Sequence, residues 1–198
     1  MKKGERRKLE LLQIAYRKFV TAGYENTSVE DIIEEAGIAK GTYYYYFESK
    51  EQMLEEVIGM MIEQEAEAAR QIAGSLIPIP QKIVGVFASM RPSGEENSIQ
   101  GALHKAENIL MHNKIRKRLM DTIGPILSGV VEEGIAEGIF SCDNIPQRVR
   151  MLLTIGGDLF DEGQFTEADV AVFIDMTEKL LGAKPGTMAF IRDLIGQG

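Results

Sequence analysis

The chain has 198 residues, of which 44% are hydrophobic and 26% are charged, a composition that supports one or two globular domains with a proper core. Its uncharged runs contain glycine and proline and are too short to cross a bilayer, and its charged start lacks the apolar block of a secretion signal. A single cysteine, Cys142, excludes an internal disulfide framework, so we expect a protein of the reducing cytoplasm.

The net charge of −8 argues at first against a polyanionic partner. The charge is unevenly distributed, however. Residues 1–18 contain seven basic and two acidic residues, whereas residues 51–198 carry a net charge of −9. A basic end on an acidic body would direct a polyanion such as DNA to the N-terminus and repel it elsewhere.

Helical periodicity dominates the chain and strand signals are nearly absent, which predicts an all-α protein. Ser28 with Asp31, and Thr166 with Asp169, have the spacing of helix-opening caps, while Gly23 and Gly37 are typical helix ends. The predicted helices are 5–22, 28–36, 39–47, 50–72, 81–90, 98–112, 114–138, 146–162, 167–181 and 186–195, with a loop at 91–97.

The segment 27–50 predicts two short helices that meet at a tight turn. Gly37 permits the sharp reversal, and Ile38 can fill the angle between the helices. On the second helix, Tyr43 and Phe47 lie four residues apart and would face the core. This is the geometry of a helix-turn-helix, a motif whose second helix enters the major groove of DNA.

The same segment resembles the signature of the TetR family of transcriptional regulators, over about residues 5–55. The similarity includes Phe19 to Tyr24, Thr27-Ser28-Val29, Ala36 to Thr42, Tyr44 to Phe47 and Ser49-Lys50-Glu51. It implies an N-terminal three-helix DNA-binding domain, residues 1–50, joined to a larger helical bundle, residues 51–198, that binds a ligand and forms a homodimer.

The resemblance also implies a role for each matched residue. Thr27 and Ser28 would contact phosphate or the groove edge, Lys40, Gly41, Thr42 and Tyr45 would lie near base edges, and Tyr44, Tyr46 and Lys50 would contact phosphate. The chemistry is reasonable, since a phenol donates to a phosphate oxygen and a lysine neutralises its charge. For Tyr43, packing in the core is the better interpretation.

Two helices near the C-terminus predict the dimer interface. Residues 146–162 and 167–181 are apolar on more than one side, and such helices must be buried on both sides. Two of them per subunit would form a four-helix interface. The residues that we expect there are Val149, Leu152, Leu153, Gly156, Phe160, Val170, Phe173, Thr177 and Leu181.

A polar stripe of His104, Glu107 and Asn108 is the candidate ligand site. The only two histidines, His104 and His112, are eight residues apart and lack the i, i+4 spacing of metal ligands, so we expect no metal. The stripe either faces solvent or, together with Met111, lines a cavity. No glycine-rich phosphate loop or glycine-flanked nucleophilic serine is present, so we expect neither a cofactor nor an enzyme.

Taken together, the patterns and the resemblance predict a dimeric repressor. It would bind a palindromic operator in double-stranded DNA and be released by a small, mostly apolar effector, without a membrane partner. Two alternatives remain: an architectural DNA-binding protein without an effector, and a ligand carrier or enzyme built on a helical bundle. An enclosed pocket in the C-terminal bundle would count against the first, and the second would require a converging polar constellation.

Overall fold

The computed structural model describes residues 3–90, 99, 109–161 and 165–191, with the backbone alone at 109, 110, 160 and 161. These residues form eight α-helices and no strand, which confirms the all-α prediction. In chain order the helices are α1 (Lys3–Ala22), α2 (Val29–Ala36), α3 (Lys40–Tyr46), α4 (Lys50–Ala73), α5 (Ile79–Ser89), α6 (Ile109–Ala136), α7 (Ile145–Asp161) and α8 (Glu167–Leu181). None of the described helices is long and apolar enough to cross a membrane.

The chain divides into two compact units, and the division falls inside helices. Among the described residues, the first unit comprises 3–64, 99 and 109–118, and the second comprises 65–90, 119–161 and 165–191. The first division therefore lies within α4, after Gln64.

The first unit contains the N-terminal helices packed around aromatic and aliphatic side chains. On α1 its fully buried residues are four apart, and on α4 two of them lie three and four residues before the third, so each of these helices turns one face inward. The fully buried residues of this unit include Leu11, Ala15 and Phe19 on α1, Ile32 on α2, Tyr43 on α3, and Met53, Leu54 and Val57 on α4.

The second unit has its own core, to which the end of α4 and helices α5 to α8 contribute. Its fully buried members include Val86, Ile123, Leu127, Val131, Leu152 and Leu181. In the described part of this unit, two charged side chains are buried. Lys82 pairs with both oxygens of Glu133 at 2.8 Å, and the carboxylate of Glu178 accepts backbone N–H bonds from Gly186 at 3.0 Å and Met188 at 2.7 Å.

The predicted helix at 186–195 is not formed over residues 186–190, and Ile191 is helical. Successive turns form there instead, with N–H to C=O bonds that span three residues. Gly186 has a φ of +90°, which is not helical, and Glu178 binds two backbone N–H groups of the turns. A carboxylate of the preceding helix, eight to ten residues away, therefore binds these turns.

Candidate nucleic-acid interface

Helices α2 and α3 form a helix-turn-helix, and its turn is specified locally. Ser28 opens α2 with a complete capping box, since its hydroxyl accepts a bond from the Asp31 backbone N–H at 3.1 Å while the Asp31 carboxylate accepts one from the Ser28 N–H at 2.7 Å. Gly37 ends α2 in the left-handed conformation, with φ +61°. The N–H of Ile38 then closes the turn on the carbonyl of Ile33 at 3.2 Å.

Two buried aromatic side chains fix the orientation of α3. Tyr43 and Phe47 are 0% and 1% exposed, as the sequence predicts for residues four apart on a core-facing side. The Tyr43 hydroxyl donates to the carbonyl of Ser49 at 3.3 Å, and burial raises the pKa of this phenol to about 12. Because one face of α3 is held in this way, the opposite face is presented to solvent.

The exposed face of α3 carries the residues that the resemblance places near DNA. Tyr45 is 81% exposed and Tyr44 is 48% exposed, although each ring has an edge contact with a neighbouring tyrosine, Tyr46 and Tyr43 respectively. Gly41 is exposed, and a side chain there would meet no atom within 4 Å. Thr42 and Tyr46 are half-buried at the sides of the same face. The helix thus presents a small residue flanked by aromatic and hydroxyl groups.

Lys40, at the start of α3, is exposed and forms an ion pair. Its ammonium donates to Oε1 of Glu30 on α2 at 2.7 Å. This bond raises the pKa of Lys40 and lowers that of Glu30. The pairing was not evident from the sequence, because Glu30 and Lys40 are ten residues apart and become neighbours only through the turn.

Two predicted phosphate-contacting residues are engaged inside the domain. Thr27 is 2% exposed, and its hydroxyl donates to the carbonyl of Gly23 at 2.9 Å. Lys50 is half-buried and donates to the carbonyls of Tyr24 at 2.8 Å and Thr27 at 2.9 Å, with its ammonium 4.2 Å from the centre of the Tyr24 ring. Ser28 remains exposed, but its hydroxyl is used in the capping box.

Several cations of α1 brace the domain. Arg7 donates to the carbonyl of Ala36 at the end of α2, at 3.0 Å, and Lys8 pairs with Glu56 of α4. Arg17 and Lys18 both lie 3.0 Å from Glu35 of α2. Much of the basic charge near the N-terminus therefore joins helices of this unit to one another.

Most of the residues predicted at the dimer interface are buried in the core of their own chain, and their place at an interface stays a prediction. Val149, Leu152, Leu153, Val170, Thr177 and Leu181 are at most 3% exposed, and Gly156 is buried against Phe87 and the half-buried Phe173. Side chains that are already buried in one subunit expose almost no surface that a second subunit could contact. For Phe160 the structure describes the backbone alone.

The exposed apolar residues of the same two helices lie on other faces. Met151 and Ile155 of α7 are 51% and 42% exposed and lie four residues apart, while Val172 of α8 is 66% exposed. Of the candidate ligand site, His104, Glu107 and Asn108 lie outside the described residues, and Met111 is half-buried on α6.

Comparison with known proteins agrees with this geometry. The sequence model of the family "Bacterial regulatory proteins, tetR family" matches residues 11–57. The chain is 29% identical over 149 residues to the HTH-type transcriptional repressor KstR2 of Mycolicibacterium smegmatis, covering 69% of each protein. It is 28% identical over 144 residues to the Fatty acid metabolism regulator protein of Bacillus subtilis, covering 70% of this chain and 73% of that one.

Among solved structures, the chain resembles RolR in complex with the ligand resorcinol. The TM-score is 0.70 at 20% sequence identity, covering 99% of this chain and 96% of the other. The match to RolR without ligand has a TM-score of 0.69 at 19% identity. At this identity the likeness concerns the fold, and it extends over nearly the whole chain.

An exposed α3 whose opposite face is anchored in a small helical domain defines a helix-turn-helix regulator. The family model covers all of α2 and α3, and the related proteins extend the similarity well beyond these helices. Residues 11–57 therefore match the DNA-binding domain of the TetR family of transcriptional regulators.

Proposed function

We propose that this regulator is a homodimeric repressor that reads a palindromic operator through α3. Residues 1–50 act as the DNA-binding domain and residues 51–198 as the regulatory and dimerisation domain. Lys40, Gly41, Thr42 and Tyr45 contact base edges, while Tyr44 and Tyr46 contact phosphates. The observation that carries the proposal is the pair of exposed tyrosines, since Tyr45 is 81% exposed on a helix whose other side is fixed in the core.

The dimer interface in this proposal is formed by the exposed face of α7 and α8. Met151, Ile155 and Val172 are apolar and open to solvent in one chain, whereas the other side of both helices is already packed. Two subunits related by a two-fold axis would each contribute the same face. Their recognition helices would then read half-sites about one helical turn, roughly 34 Å, apart.

The effector in this proposal is a small, mostly apolar molecule that binds the second unit. In the described part of this unit the buried charged side chains are Lys82 and Glu178, and both already have polar partners, so a ligand entering the core would meet mainly apolar groups. The names of two similar proteins agree: one regulates fatty acid metabolism, and RolR was solved with resorcinol. Such a ligand would release the operator if it bound more tightly to the dimer conformation in which the spacing of the recognition helices does not fit DNA.

Selection from a random duplex library, followed by titration of the selected site, tests the proposal. We expect a palindrome, and we expect Tyr45→Ala and Lys40→Ala each to weaken operator binding by about 1–3 kcal/mol. Leu76→Ala is the matched control, because Leu76 is a fully exposed apolar residue of the second unit. Unchanged binding by both α3 variants would refute the assignment of α3. An effector that is small and highly charged would refute the apolar ligand.

A further inference from the structure

Helix α2 carries four carboxylates and no cation, although it packs beside the helix proposed to enter DNA. Two of the four have structural partners: Asp31 completes the capping box, and Glu35 pairs with two cations of α1. Glu30 is different, because its partner is Lys40 at the start of α3. Because Glu30 binds a lysine of α3, it should affect the binding of that lysine to DNA.

The Glu30–Lys40 pair is too exposed to be explained by its contribution to folding. The two side chains are 66% and 62% exposed, and their charged atoms lie 2.7 Å apart. Pairs of this kind contribute little to stability, since water screens them and two side chains lose conformational freedom. For the same reason the pair exchanges easily when a better partner for the lysine arrives.

We propose that Glu30 is a specificity-determining residue. Its ion pair with Lys40 competes with a phosphate contact of Lys40 but is exchanged for a contact between Lys40 and a base edge on the operator. The inference rests on the function proposed above. On non-operator DNA, Lys40 could gain only a phosphate contact. Glu30 disfavours this contact because its carboxylate binds the Lys40 ammonium and repels the phosphate. On the operator, a lysine gains directed hydrogen bonds to guanine O6 and N7, which compensate for the lost pair. Glu30 therefore weakens non-operator binding more than operator binding.

Substitution Glu30→Gln tests this inference, with Glu34→Gln as its matched control. Glu34 is exposed on the same helix, one turn further along, so both variants remove one charge from α2. Affinity for a mixed-sequence duplex and for the selected operator is measured across a salt series. We expect Glu30→Gln to raise non-operator affinity about three- to tenfold near 0.1 M salt, and to steepen the salt slope by about 0.9 for each lysine that gains a phosphate.

The operator affinity of Glu30→Gln should rise by a smaller factor, so the ratio of the two affinities falls. In the double variant Glu30→Gln/Lys40→Ala, the gain in non-operator slope should disappear. If Glu30→Gln and Glu34→Gln changed the two affinities equally, the change in net charge would explain the effect and the inference would be overturned. Weaker binding of Glu30→Gln to both duplexes would instead assign Glu30 to helix stability. If the unmodified protein bound no duplex at low salt, the proposed function itself would fall.

Discussion

The ammonium of Lys50 holds together the chain segment between α1 and α2. It donates to the carbonyls of Tyr24 and Thr27 and lies over the Tyr24 ring, so it joins the first residue of α4 to this segment. A lysine with three N–H donors has one left for a phosphate, but its position is set by the protein. We therefore infer that Lys50 acts first as a positioning residue for the helix-turn-helix.

This role gives Lys50 and Lys40 different signatures. Lys50→Ala should lower the free energy of unfolding by about 1.5–3 kcal/mol, because two carbonyls lose charged donors, and it should change the salt slope little. Lys40→Ala, whose pair is exposed, should leave stability nearly unchanged and lower operator affinity. Urea unfolding and salt-dependent titration measure the two effects. A slope reduced by about 1 in Lys50→Ala, at unchanged stability, would establish the phosphate contact instead.

The roles of some residues of the helix-turn-helix could be predicted from the sequence, and those of others could not. Tyr43 and Phe47 were predictable as core because they share one face of α3 and the helix is short. Lys50 matched a family position, but its hydrogen bonds reach the carbonyls of Tyr24 and Thr27, 26 and 23 residues away, which no local pattern reveals. The Glu30–Lys40 pair was missed for the same reason.

At the scale of elements, two glycines end helices in the left-handed conformation but differ in their surroundings. Gly37 has φ +61° and open space around it, whereas Gly182 has φ +65° and packs directly against the backbone carbonyl of Ser141. The first glycine is thus required by its backbone angle alone. The second is required both by its angle and by the close approach of another segment.

Substitutions separate these two requirements. Gly37→Ala should cost about 1–2 kcal/mol of unfolding free energy, and Gly37→Asn should recover much of this because asparagine tolerates the left-handed region. Gly182→Ala should cost more, since its methyl group collides with the Ser141 carbonyl, and Gly182→Asn should give no recovery. Thermal or urea unfolding of the four variants provides the comparison. Equal rescue at both glycines would show that the contact with Ser141 yields easily.

Helices with their own start and stop residues were predicted closely. α8 occupies the predicted residues 167–181, opened by the Thr166–Asp169 capping box and ended by Gly182. The segment after it was mistaken for a helix because its apolar spacing is helical, whereas its turns are bound by the carboxylate of Glu178. Local caps are readable in a sequence, and anchors supplied by another helix are not.

At the scale of the whole molecule, the sequence could not distinguish the two apolar sides of α7 and α8. Periodicity showed that both helices are apolar on more than one side, but it gave no means of telling which side fills the chain's own core. The structure places Leu152 and Leu153 in that core and leaves Met151, Ile155 and Val172 exposed. Association is therefore tested by substituting the exposed residues rather than the buried ones.

Val172→Lys and Met151→Lys should each convert the proposed dimer into a folded monomer. A buried aliphatic side chain contributes about 1.5–3 kcal/mol, and a two-fold interface counts each substitution twice, so the dissociation constant should rise at least about 100-fold. Because both side chains are half or more exposed in one chain, the monomer should unfold at nearly the same urea concentration. Light scattering should show the mass fall from twice the chain mass to 22.0 kDa.

Leu76→Lys is the control for these variants, since Leu76 is fully exposed and lies between α4 and α5 in the chain, outside the two helices of the proposed interface. It should remain dimeric, which would exclude added charge as the cause of dissociation. Loss of the dimer should also weaken operator binding, because a monomer presents one recognition helix to a site with two half-sites. Dimers that persisted in both Val172→Lys and Met151→Lys would show that this face of α7 and α8 is not the interface.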